Sequence, residues 1–111
     1  MKKTIEEILE TEYDLELDEY RKNAMATSYY KYGKVSDNYP DNIDALQSMQ
    51  KRIKKYMQTG NKEFLADAMN FIMIEFMYPK NKEAYFEPTD SEESPGVVGI
   101  SVNEAKKLKN N

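Results

Sequence analysis

Apolar residues recur at steps of three and four in three separate runs of this chain, which predicts an all-α fold with three principal helices. In the first run Ile5, Leu9, Tyr13, Leu17, Tyr20 and Ala24 form one stripe. Thr4-Ile5-Glu6-Glu7 precedes it as a capping box, with the Thr4 hydroxyl set for a first-turn amide and Glu7 able to reach back. The stripe can continue to Lys31, after which Gly33 offers a C-terminal cap. Like charges crowd residues 14–18 and Leu15 lies off the stripe, so this is where a long first helix would break.

Residues 33–42, GKVSDNYPDN, are turn chemistry: Pro40 disfavours helix at Tyr39, and Asp41 or Asn42 can cap the next helix. In that second helix Ile43, Leu46, Met49, Ile53, Tyr56 and Met57 make the apolar face. Lys51, Arg52, Lys54 and Lys55 gather toward its C-terminal end, where cations suit the helix dipole. Thr59-Gly60-Asn61 ends it, with Gly60 as a left-handed cap and Asn61 as the next N-cap, so the second and third helices should form an antiparallel hairpin against the first.

The third helix, within NKEFLADAMNFIMIEFMYP, is nearly all apolar, and its composition calls for burial. Glu63, Asp67 and Asn70 fall within about 60° of one another, a narrow polar stripe on an apolar cylinder. Pro79 closes this helix. The expected organisation is one domain, with a helical bundle over residues 1–78 and an irregular arm over 79–111 that lies on it through Tyr85 and Phe86. Val97, Val98, Ile100 and Val102 offer one short extended segment, followed by Ser101-Val102-Asn103-Glu104 as a second capping box.

Composition narrows the chemistry mainly by exclusion. With no cysteine and no histidine there is no disulfide, thiol nucleophile, thiolate or imidazole ligand, or His-dependent triad, and no catalytic residue is assigned. A net charge of −4 without a basic tail argues against general nucleic-acid binding. The segment MKKTIEEILE has no apolar run of signal-peptide length, and polar residues interrupt the third helix, so the expectation is a cytoplasmic protein without a membrane span.

Two constellations remain. Nine tyrosines are present, and Tyr29, Tyr30, Tyr32 and Tyr39 cluster around the end of the first helix and the loop after it. Tyrosine combines contact area with a polar tip, so Tyr29, Tyr30 and Tyr32, with Arg52, Lys55, Asp67 and Asn70, are the candidate contacts for a ligand or partner; some of these tyrosines must also serve the core. Carboxylates make the second set. Glu12 and Glu16 on the first helix could face Glu63 and Asp67 on the third and hold Mg²⁺ through hard oxygen ligands. That arrangement resembles the all-α nucleoside triphosphate pyrophosphatases of the MazG and dimeric dUTPase type, although the second string here is E-x-x-x-D where those enzymes carry E-x-x-D. A solvated acidic face explains the same glutamates without a metal.

The segments YYKYGKVSDNYP, ALQSMQKRIKKYMQTGNKEFLADAMNFIMIEFMYP and TDSEESPGVVGIS together resemble small proteins encoded by phages and prophages of Gram-positive bacteria. The resemblance implies a non-enzymatic accessory protein without a cofactor, acting by binding a host protein or a nucleotide-type signal, with an anti-defence role in view. The third helix is apolar almost all round, which adds the expectation of a homodimer.

Overall fold

Thr4 begins the first helix as its capping box requires: its Oγ1 accepts from the Glu7 amide and its own amide donates to Glu7 Oε1, both at 3.2 Å. The computed structural model describes residues 2–89, and among them five helices and no strand occur: α1 (Ile5–Glu12), α2 (Leu15–Tyr32), α3 (Val35–Asn38), α4 (Ala45–Thr59) and α5 (Glu63–Met77). The all-α class holds for these residues, with five helices where three principal ones are expected.

The long first run divides in two. Tyr13 and Asp14 are extended, and Asp14 Oδ1 accepts from the Leu17 amide at 2.9 Å. Asp14 gains more as an N-cap than inside a helix, and the cut puts Glu16 and Asp18 in the first turn of α2, where the dipole favours negative charge. Every residue of α1 is exposed.

The turn region holds an extra helical turn, α3. Asn38 Nδ2 donates to the Tyr32 carbonyl at 3.1 Å, tying α3 back to the end of α2. The amides of Asn42 and Ile43 both donate to the Asn38 carbonyl, at 3.1 and 3.0 Å. With Asn42 engaged in closing this loop, the cap of α4 passes from the expected Asp41 or Asn42 to Asp44, whose Oδ1 accepts from the Gln47 amide at 3.0 Å. Ile43 therefore precedes the helix.

Gly60, at φ 73° and ψ 5°, ends α4 in the left-handed conformation, and Asn61 Oδ1 accepts from the Glu63 amide at 3.0 Å as α5 begins. The two helices form a hairpin, and α2 packs more sparsely on α5.

α5 is the central element, and it buries polar side chains alongside apolar ones. Its inner arc carries Ala66, Asn70 and Ile74, all buried, together with half-buried Asp67 and Phe71. Met69, Ile72, Met73 and Phe76 fall within about 100° on the opposite side and are exposed. Asp67 and Asn70 of the polar stripe thus face the protein, Glu63 is exposed, and an apolar stripe faces outward, so burial of the whole helix does not occur among the described residues.

Lys80 anchors the chain beyond α5, its amide donating to Glu75 Oε2 at 2.8 Å and its Nζ to Asp44 Oδ2 at 2.9 Å. Phe86 meets Phe76 edge to face with centroids 5.8 Å apart, while Tyr85 and Phe86 both remain exposed. The extended segment at Val97, Val98, Ile100 and Val102 and the second capping box lie outside the described residues. No helix among the described residues is long and apolar enough to cross a membrane.

Candidate functional site

The end of α2, the α3 turn, α4 and the inner arc of α5 enclose a cavity of about 720 Å³. Its size lies within the range of small-molecule sites. Each wall is set by the local fold. Gly33, at φ 82° and ψ −162°, turns the chain after α2, and Tyr29 and Tyr32 before it and Tyr39 after it line the cavity together with Phe71 of α5. The Asn38 contacts fix the α3 side, and α4 brings Arg52 over the Phe71 ring, 5.6 Å from its centroid.

Asp67 is the charged group on the α5 wall. Its Oδ2 lies 3.8 Å from Arg52 Nε, an ion pair too long to be a hydrogen bond, and it accepts no hydrogen bond among the described residues. Burial pushes its carboxyl above the ordinary aspartate value; the Arg52 guanidinium opposes this and the Glu63 charge adds to it. Burial likewise raises the Tyr39 phenol, against the pull of Arg52. Along the same stripe Glu63 faces Tyr20, whose phenol is raised by burial and then by the Glu63 and Asp67 charges.

Asn70, one turn beyond Asp67, is 7% exposed. Its Nδ2 donates to the Arg21 carbonyl at 3.2 Å, which fixes the amide orientation because the reversed amide would set two oxygens against each other. Asn70 Oδ1 is then buried without a partner, and so is Arg21 Nε.

Of the seven contact candidates read from the sequence, Tyr29, Tyr32, Arg52, Asp67 and Asn70 line this one cavity. Tyr30 and Lys55 do not: Tyr30 is 86% exposed, touching Tyr29 edge to face, and Lys55 lies on the exposed side of α4. The cavity adds Tyr39 and Phe71, which are not among those seven. Tyr39 belongs to the tyrosine cluster. Phe71 comes directly after Asn70, but in a helix so apolar no single phenylalanine stands out.

The carboxylate constellation does not assemble. Glu12 borders a shallow recess at the α1–α2 junction with Asp18, Arg21 and Met69, whereas Glu63 and Asp67 face Tyr20 and Arg52. Among the described residues no group of three or more carboxylates could hold a metal ion. The geometry therefore gives the two-helix Mg²⁺ site, with Glu12, Glu16, Glu63 and Asp67 as ligands, no support. Comparison with protein-family models, curated proteins and solved structures finds no match to this chain.

Proposed function

We propose that this protein works by binding rather than by catalysis, with the cavity between α2, α3, α4 and α5 as its recognition site. One observation carries the reading: five residues chosen from sequence chemistry, spread over three helices, converge on one cavity that combines aromatic walls with a charged pair and a buried amide. In the phage or prophage setting that the sequence resembles, the protein is a cytoplasmic accessory factor whose cavity takes a nucleotide-type small molecule, with an anti-defence role through sequestering it. Binding of a host protein is the other form of the same activity. A second copy of the chain, seated on the outward apolar face of α5, completes the assembly; that face includes Ile72, 50% exposed, and Phe76, 69% exposed.

Native mass spectrometry of the protein expressed in a Gram-positive bacterium tests the reading. The expected result is a noncovalent small-molecule adduct that is lost from an Arg52→Ala, Asp67→Ala double variant. Bare chains in both spectra, or an adduct indifferent to the double variant, would remove the cavity as the recognition site.

A further inference from the structure

We infer that the cavity takes a planar nitrogen heterocycle with two adjacent N–H donors, its ring against the tyrosine wall and its donor edge on the Asp67 carboxylate. This rests on the binding reading and names the ligand class. Asp67 is a partly buried acceptor with unused capacity: the cation beside it, Arg52, is 3.8 Å away, and no hydrogen bond among the described residues reaches its oxygens. A carboxylate accepts two parallel N–H bonds from a planar edge, the geometry by which it also receives a guanidinium. One turn along the same face, Asn70 has its amine held by the Arg21 carbonyl and its oxygen buried out of reach, so Asp67 is the acceptor that this wall presents to the cavity.

The surroundings exclude simpler occupants. A bare phosphate would meet the Asp67 charge, and Arg52 is already shared between Asp67 and the Phe71 face. An aliphatic chain would leave the carboxylate without a donor in a partly dry site. An alkyl ammonium would satisfy Asp67 as a point charge and can sit on a tyrosine face, but it lacks the planar pair of donors that a carboxylate accepts side by side. Among nucleobases guanine presents the required edge, a ring N–H beside an exocyclic amine. Hypoxanthine keeps only the ring N–H, and adenine offers only the amine. Lys31 also lines the cavity and offers a cation for a phosphate attached to such a ring.

The test is isothermal titration of the full chain with guanosine, inosine and adenosine, followed by amide NMR. Guanosine should bind at least tenfold more tightly than inosine or adenosine. Asp67→Asn should lower guanosine affinity at least tenfold with an unchanged amide spectrum elsewhere, and Tyr32→Ala, at an exposed position that tolerates truncation, should lower it severalfold. Guanosine monophosphate and a guanine-containing single-stranded tetranucleotide share the edge, so binding of either supports the inference and the tighter one identifies the source. Equal affinity for the three nucleosides, or no effect of Asp67→Asn, overturns it. If phenol or indole shifts the amides of Arg52 and Phe71 while guanosine does not, the cavity still binds ligands and only the donor-edge inference fails. If no probe shifts them, both fall.

Discussion

Asn70 reaches back 49 residues to Arg21, its side-chain amine donating to the Arg21 carbonyl at 3.2 Å and joining the middle of α5 to α2. The bond lets a polar residue occupy the most buried arc of α5, and it is one of the few specific polar ties between α2 and the hairpin. Asn70→Leu removes the donor and strands the carbonyl, and should lower stability by about 1–3 kcal/mol. Asn70→Asp should cost more at pH 7, where a buried carboxylate would face a carbonyl, than at pH 4, where a protonated acid can donate. Urea denaturation of both variants at the two pH values checks this; equal losses at both would show that the amine is not the tie.

Asp67 gives a pH signature of unusual sign. Its folded pKa lies above the ordinary 3.8, chiefly through burial, so between 3.8 and the raised value the folded protein holds more protons at this site than the unfolded chain. Its contribution to stability must then fall as pH rises through that window. Arg52 opposes the shift and Glu63 adds to it, with Tyr20 the remaining titratable neighbour on the stripe. Asp67→Asn should flatten this falling component in denaturation midpoints measured from pH 3.5 to 7. Ligand binding should show the opposite trend, weakening as protonation removes the acceptor. An Asp67→Asn curve parallel to that of the parent protein would mean that the carboxylate is effectively solvated.

Gly33 and Gly60 both cap helices at positive φ, yet they should respond differently to substitution. An added Cβ meets nothing within 4 Å at either site, so only backbone conformation matters. Gly60, at ψ 5°, is in the left-handed region that asparagine tolerates, whereas Gly33, at ψ −162°, is in a region that is essentially restricted to glycine. Gly60→Ala should cost about 1 kcal/mol and Gly60→Asn less. Gly33→Ala should cost about 1–3 kcal/mol and should also shift amide resonances of Tyr32 and Tyr39, because that turn positions the tyrosine wall. Equal melting temperatures for the two alanine variants would contradict the distinction.

These contrasts mark what is legible in the sequence. Gly60, the Thr4 capping box and the polar stripe are encoded in a few adjacent residues, so local chemistry finds them. The direction in which the stripe points is not local. The apolar majority of α5 suggests burial all round, but the neighbouring elements cover only part of it, including Asn70 and Ala68, and Met69, Ile72 and Phe76 are left outside. The break at Tyr13-Asp14 is visible as a crowd of charges, while its position depends on Asp14 winning as a cap. Tyr29, Tyr30 and Tyr32 look equivalent in sequence and all are exposed, and only the helix phase separates Tyr29 and Tyr32, which line the cavity, from Tyr30, which does not.

That separation predicts a split in binding. Tyr32→Ala and Arg52→Ala should each weaken ligand binding by about 1–3 kcal/mol, as aromatic and arginine anchors do. Tyr30→Ala and Lys55→Ala, outside the cavity, should leave it unchanged. Titration calorimetry against the ligand identified by native mass spectrometry provides the comparison. A loss at Tyr30 equal to that at Tyr32 would point to a surface interface in place of the cavity.

The outward face of α5 makes the last prediction. Met69, Ile72, Met73 and Phe76 form one exposed apolar stripe, which Phe86 meets at Phe76. Monomers rarely leave such a stripe uncovered, and a helix face that meets its own copy across a two-fold axis buries each residue twice over in one contact. Sedimentation equilibrium at micromolar concentration should therefore report dimers. Ile72→Lys with Phe76→Lys should yield monomers of unchanged helicity, since neither side chain belongs to the inner arc that α2 and α4 cover. Cavity binding should survive in that variant, because Asp67 and Asn70 lie on the other side of the helix. A monomeric parent protein with undiminished solubility would remove the second copy from the assembly and leave the cavity reading standing alone.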